Sequence, residues 1–241
     1  MRNAFFLVLF LCSAGAATAQ TADEIIAKHI EIMGGDNWKK LQSVKMEAKV
    51  TAQNAPGMEI PLSMFIVRDK SLRMDVKVMG MTQVTVVNGD AGWMINPFMG
   101  NPDPQPLTAD QVNAMKEMTD LDGALIGYQD KGYKIEYLGT EDVDGTPTHK
   151  LKIDKGDGRL EYNFIDRESF YVIKSIMIAQ VDGKEVESST LMSDFKTIDG
   201  VVFPGSIEQN NEMMGSSVTK MTTIEVNPTV DQTLFDMPAK K

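Results

Sequence analysis

The sequence predicts a mainly β (α+β) protein built on an antiparallel sheet. Three observations carry that prediction. Segments 44–53, 58–68 and 72–78 alternate apolar and polar residues with period two. Asn-Gly and Asp-Gly pairs recur between β-rich runs, and helical spacing is confined to a few stretches.

The chain begins MRNAFFLVLFLCSAGAATAQ. Arg2, the apolar run from Ala4 to Leu11 and the small-x-small site Ala17-Thr18-Ala19 have the form of a secretory signal. The run is too short to span a membrane. Residues 1–20 are therefore expected to be removed, leaving 21–241 as one domain with no stable membrane anchor. The only cysteine, Cys12, lies in that stretch and follows Leu11, whereas a lipidated cysteine needs a small residue before it. The mature chain is expected to have no disulfide, thiol nucleophile or zinc-thiolate site.

Thr21 and Glu24 form a capping box for a helix whose apolar stripe is Ile25, Ile26, Ile30 and Met33, with Gly34-Gly35 as its stop. His29 is expected on that helix's surface, and a short helical turn is expected over residues 37–41. The period then changes. SVKMEAKVTAQ puts Val44, Met46, Ala48, Val50 and Ala52 on one face. MEIPLSMFIVRD puts Met58, Ile60, Leu62, Met64 and Ile66 on one face, and Arg68 ends the row on that same side. SLRMDVKVM sets Leu72, Met74, Val76 and Val78 against Arg73, Asp75 and Lys77. Such strands imply a sheet with one greasy and one wet face. Turns are expected at Asn88-Gly89, Asp144-Gly145, Asp157-Gly158, Asp182-Gly183 and Asp199-Gly200, giving a meander of about ten or eleven strands. The proline-rich NPFMGNPDPQP (96–106) reads as a loop. A second capping box, Thr108 and Gln111, then starts a helix over Val112, Met115, Met118 or Thr119, Asp122 and Leu125.

The formal charge of −10, one unit more acidic without Arg2, argues against nucleic acid and against docking on anionic membranes. No metal-binding histidine spacing, nucleophile elbow or phosphate-binding glycine loop occurs, and His149 reads as an ordinary strand residue. No catalytic residue, metal or cofactor is expected. The 18 methionines are more telling, because Met46, Met58, Met64 and Met74 share the inward register and Met115 and Met118 lie on the inserted helix. Methionine is flexible and polarizable, so such a face can fill a core or accommodate varied apolar ligands. Met79-Gly80-Met81 and Met213-Met214 lack the histidine or third methionine that would favour Cu(I).

VVNGDAGWMINPFMG (86–100) resembles the strand-turn-strand of the LolA/LolB lipoprotein-carrier superfamily, with Asn88-Gly89 as the turn followed by Trp93, Asn96, Pro97 and Phe98. MFIVRDKSLRMDV is similar to the segment in which an arginine ends one strand; Arg68 matches it, although the family usually continues with proline and this chain has Asp69. DFKTIDGVVFPGSIE and NPTVDQTLFDMP also resemble recurring segments of the family. The resemblance implies an open, incomplete barrel of about eleven antiparallel strands, with helices as a lid over an apolar cavity. It implies a periplasmic carrier of acylated lipoproteins or other lipids, working between an inner-membrane release complex and an outer-membrane receptor. A lipid-sensing or protein-interaction module on the same fold is the alternative. The expected lipid-binding residues are Met46, Val50, Met58, Ile60, Leu62, Met64, Ile66, Leu72, Met74, Val76, Trp93, Met115 and Met118. Arg68 is expected to bond lid-helix carbonyls and hold the empty cavity shut. Its parity alone also allows a strand-end arginine reaching out to water.

Overall fold

The computed structural model describes residues 21–55, 57–181, 184–211 and 215–239. The signal-like segment 1–20 with Cys12, the Asp182-Gly183 turn and the Met213-Met214 pair lie outside the described residues.

Helix α1 (Ala22–Met33) starts from the expected capping box, with Thr21 accepting from the Glu24 amide and the Glu24 side chain returning to Thr21. Gly34 ends it with φ 138°, a value that favours glycine, and a Cβ there would lie 2.7 Å from the Gly200 carbonyl oxygen. Helix α2 (Asp36–Lys39) follows at once. The next strands are β1 (Ser43–Ala52), β2 (Ile60–Val67), β3 (Ser71–Val78), β4 (Met81–Asn88), β5 (Ala91–Asn96) and β6 (Asn101–Pro106). Helix α3 (Ala109–Lys116) then opens a long connection. Beyond it come β7 (Lys134–Val143), β8 (Thr146–Asp154), β9 (Leu160–Asp166), β10 (Val172–Val181) and β11 (Lys184–Ser193). The last strands are β12 (Lys196–Ile198), β13 (Val201–Phe203), β14 (Ser206–Asn211) and β15 (Gly215–Val226).

Thirteen strands form one antiparallel sheet in the order β6-β5-β4-β3-β2-β1-β15-β14-β11-β10-β9-β8-β7, while β12 and β13 make a separate hairpin. The sheet curls but does not close. Its two arms are meanders, joined where β1 pairs with β15. Local chemistry explains the meander. Asp144-Gly145 and Asp199-Gly200 both carry positive φ on both central residues, as the two-residue turns that match strand twist require.

Four expectations change. The described residues form fifteen strands, thirteen of them in one sheet, where about ten or eleven were expected. Residues 101–106 form edge strand β6, not a loop. Pro102, Pro104 and Pro106 fall on alternate residues, so their missing N–H groups all face the free side of the sheet, where none is needed. The helix expected to reach Leu125 stops at Lys116 and passes into a 3₁₀ turn, Glu117–Thr119. Thr119 Oγ1 donates back to the Lys116 carbonyl and Asp120 Oδ1 captures the Asp122 amide at 2.9 Å, so side chains compete with helix propagation. Finally, the outer face is not wet throughout. Phe65, Val84, Val86 and Trp93 are buried there beneath Phe235 of the 3₁₀ turn Gln232–Phe235.

The inner face is the one covered by α1, α2 and the 107–133 segment. Ile25, Ile26 and Leu125 pack there on Leu151, Ile153 and Ile165. Leu41 and Val44 pack with Val201 and Phe203 of the small hairpin. Helix α3 meets the other arm at Gly92, where an added Cβ would stand 2.8 Å from both Leu107 Cδ1 and the Val86 carbonyl oxygen. Gly92→Ala is therefore expected to destabilise the fold by ~1–3 kcal/mol through overpacking and to speed proteolysis within 107–133. Urea unfolding and limited digestion measure both; wild-type behaviour in the two assays would refute this packing.

Candidate functional site

Arg68 lies just past the end of β2, with a side chain only 13% exposed. Its Nε donates to the Leu41 carbonyl at 2.6 Å, Nη2 to the Trp38 carbonyl at 2.9 Å and Nη1 to Asp122 Oδ1 at 2.6 Å. The same Asp122 oxygen accepts from Trp38 Nε1 at 2.9 Å. Carbonyls of the α2 region thus take two of the bonds, as the resemblance implies for a helix-tethering arginine. The third partner, Asp122, was not foreseen; it comes from beyond the Met115 helix, not from its carbonyls. The alternative of an arginine reaching to water is overturned by this burial. Asp69 also explains its departure from proline. Its φ is 53° and its N–H donates to the Thr119 carbonyl at 3.0 Å, neither of which proline can provide.

Strand register fixes what lies above this node on the inner face. Met46 pairs with Met64, Met64 with Met74, Met74 with Thr85, and Thr85 with Met94, so one row crosses five strands with methionine on four of them. These methionines are half-buried. The row below it, Val44, Ile66, Leu72 and Val87, is fully core. Ile66 and Leu72, expected among lining residues, therefore present no open surface. Above the methionines, Leu62 and Val76 pair and remain half-buried, as do Val50 and Ile60 at the next level. Met115 is half-buried on α3, and Met118 is exposed in the following turn.

Two further expected members leave the group. Met58 precedes β2 and is exposed in the β1–β2 loop, because the strand begins at Ile60. Trp93 is on the outer face, its Nε1 donating to the Phe235 carbonyl at 3.0 Å. Met94, its neighbour, holds the inner position that alternation required.

The other arm borders a half-open cavity of about 210 Å³ between α1, α2, residues 121–126 and strands β9–β11. His29, Trp38, Asp122, Glu161, Asn163 and Ser175 supply its polar lining. His29 is buried, not on the helix surface, and its Nδ1 is 2.8 Å from the Phe170 carbonyl oxygen. Register places a polar row beside the cavity: Asn163 opposes Ser175, Ser175 opposes Thr190, Thr190 opposes Gln209 and Gln209 opposes Ser217. The inner face is thus methionine-rich on one arm and carries, on the other, an uncharged polar row beside a cavity of mixed polar and apolar lining. The available signal was Asn163 itself, an amide on the parity of Ile165.

No protein-family model matches the sequence, and no curated protein does. Solved structures do. A LolA superfamily protein from Nitrosomonas europaea superposes with a TM-score of 0.57 at 15% identity, covering 90% of this chain and 98% of its own. A domain from Vibrio parahaemolyticus assigned to outer-membrane lipoprotein sorting gives 0.59 at 12% identity, over 88% and 95%. This chain has a LolA-like fold. A DUF1329 family protein from Desulfovibrio piger gives 0.60 at 12% identity, over 90% and 98%. Among the described residues no helix is long and apolar enough to cross a membrane.

Removing the Asp122 carboxylate would leave a largely enclosed guanidinium short of a partner and strip Trp38 of its acceptor. Asp122→Ala is expected to lose about 1–3 kcal/mol in urea unfolding, with Asp122→Asn losing less because one acceptor oxygen remains. A loss no greater than that of the exposed control Asp110→Ala would show that the node holds nothing.

Burial lowers the pKa of His29 below its ordinary 6.5, with the Phe170 carbonyl bond opposing that shift. The unfolded chain therefore takes up a proton that the folded chain refuses until lower pH. Stability is retained above about pH 6.5 and falls as the pH drops toward the folded value. The melting temperature is expected to fall between about pH 7 and pH 5.5, and less steeply in His29→Asn, whose amide can still donate to Phe170. Equal slopes would remove His29 as the cause; His149, also lowered by burial, contributes the remainder.

Proposed function

We propose that this chain is a soluble periplasmic carrier that binds the acyl chains of lipoproteins in a methionine-rich half-barrel. The 107–133 segment with α1 and α2 is its lid. The supporting observation is the half-buried row Met46, Met64, Met74 and Met94, held in register on the covered face of an open sheet. A dry core would bury such a row completely. A half-open row of flexible thioethers can follow chains of different shape. An acyl chain of about fourteen carbons costs on the order of 10 kcal/mol to expose in water, at ~0.8 kcal/mol per methylene. The carrier must recover most of this without holding the chain permanently.

Arg68 is the proposed lid lock. Its bonds to Trp38, Leu41 and Asp122 belong to the closed, empty state, and opening the lid for a chain breaks some of them. They favour the empty form and hence release. The signal-like segment 1–20 supports export, and the LolA-like fold supports receipt from an inner-membrane release complex and delivery to an outer-membrane receptor. No residue is assigned a catalytic role.

Native mass spectrometry of protein purified from periplasm is expected to show bound lipid or lipopeptide, which Met64→Asp loses because a charge enters an apolar site. Met64→Asp is also expected to remain folded, since water reaches its surroundings. Wild-type protein that carries no lipid and excludes fluorescent fatty acids would overturn the carrier reading. Outright unfolding of Met64→Asp would make the methionine row core.

A further inference from the structure

The cavity on the second arm is built differently from the methionine row. Asn163 is 4% exposed, and its Oδ1 is closed off from solvent without a hydrogen-bond partner among the described residues. An unpaired acceptor in such a place is destabilising and uncommon, so it calls for a donor that the chain itself does not supply. His29 points to the same chemistry. A carbonyl can only accept, so Nδ1 carries the proton that bonds Phe170, and the neutral ring keeps Nε2 as an acceptor with no partner among the described residues.

The charges around the cavity are already matched. Glu161 pairs with Lys155 at 2.9 Å, with side chains 13% and 9% exposed, and Asp122 pairs with Arg68. No lysine or arginine lines the space, whereas two carboxylates do. A phosphate entering here would meet Asp122 and Glu161 without a free cation. Ser175, which also lines the cavity, offers a further uncharged partner.

We propose that this cavity is a head-group site that takes the neutral, hydrogen-bond-donating end of an amphipathic ligand, a hydroxyl or amide N–H, and rejects phosphate. The proposal rests on the carrier reading and deepens it. Acyl chains lie on the methionine arm, and the polar end turns toward Asn163 and His29 beneath residues 121–126. Trp38 and Asp122 belong both to the cavity wall and to the Arg68 node, so a seated head group presses on the lock itself.

Displacement of a fluorescent acyl probe by monomyristoylglycerol, N-myristoylglycinamide and myristoyl lysophosphatidic acid tests this. Wild type is expected to bind one or both neutral lipids at least about tenfold more tightly than the phosphate lipid. The tighter neutral lipid identifies the donor as glycerol hydroxyl or peptide amide. In Asn163→Leu the preference is expected to fall below about threefold while the ligand-free melting temperature holds or rises, because an unpaired buried amide has been removed. A site that was merely structural would give the opposite temperature shift. His29→Asn keeps the Phe170 bond, removes Nε2 and is expected to weaken the same preference, which keeps the test available if Asn163→Leu does not fold. Equal binding of neutral and phosphate lipids by wild type, or full preference in both variants, would overturn the head-group site and leave the carrier reading standing. Failure of every lipid to bind would overturn the carrier reading and this site with it.

Discussion

The guanidinium of Arg68 is the constraint to which the rest of the inner face answers. A permanent cation that is largely withdrawn from water must find acceptors. It finds them in two segments distant in sequence: the Trp38 and Leu41 carbonyls at and just past the end of α2, and Asp122 in the turn after α3. Those bonds fix where α2 sits, and with it Trp38, whose indole shares the Asp122 oxygen. They also fix the approach of the 117–122 turn, which takes the Asp69 amide as well. Proline at position 69 would lose that bond and could not adopt the required φ. The departure from the family pattern and the node are therefore one feature.

The contrast between the arms depends on the seam between β1 and β15. Glu47 opposes Thr223 but Ala48 opposes Met221, so β15 carries one extra residue at Thr222, whose hydroxyl bonds the Glu47 carbonyl at 2.9 Å. Without that bulge Ala48 would face Thr222, and every side chain toward Gly215 would change faces. The bulge keeps Met221, Thr219 and Ser217 on the inside. At the far end of the seam, Asn227 with φ 50° accepts from the Gln42 and Ser43 amides and donates to the Lys40 carbonyl. The arms are thus joined in one register, apolar rows meeting polar ones along a defined line.

Much of this was legible in the sequence because its causes are local. Both capping boxes, the period-two faces of β1 to β3 and the hairpins at Asp144-Gly145 and Asp199-Gly200 each depend on a few neighbouring residues, and each formed as expected. The inward parity of Arg68 was legible for the same reason. What was not legible depends on distant segments. Phe65, Val84, Val86 and Trp93 are an outer face that looks wet until Phe235 arrives from the C-terminal turn. Trp93 was placed by motif although Met94 held the inward parity. Asp122 looked like one position of a longer helix, and only the competition of Thr119 and Asp120 for backbone groups frees it to meet Arg68. His29, polar on an otherwise apolar stripe, could be read as surface until Phe170 supplied a carbonyl.

A sheet that leaves the middle of its inner face half-open must be held together elsewhere. The row of Val44, Ile66, Leu72 and Val87 closes the base. The cluster around Phe65, Trp93 and Phe235 holds one arm from outside, where Arg73 fixes the tail through the Leu234 carbonyl at 2.7 Å while gripping Asp75. The cluster under α1 holds the other arm. Apolar burial in these three places supplies the driving force that the half-open middle of the inner face does not. The C-terminal turn is then a structural counterweight to the open trough, and the methionine row is free to stay incompletely packed because stability does not depend on filling it.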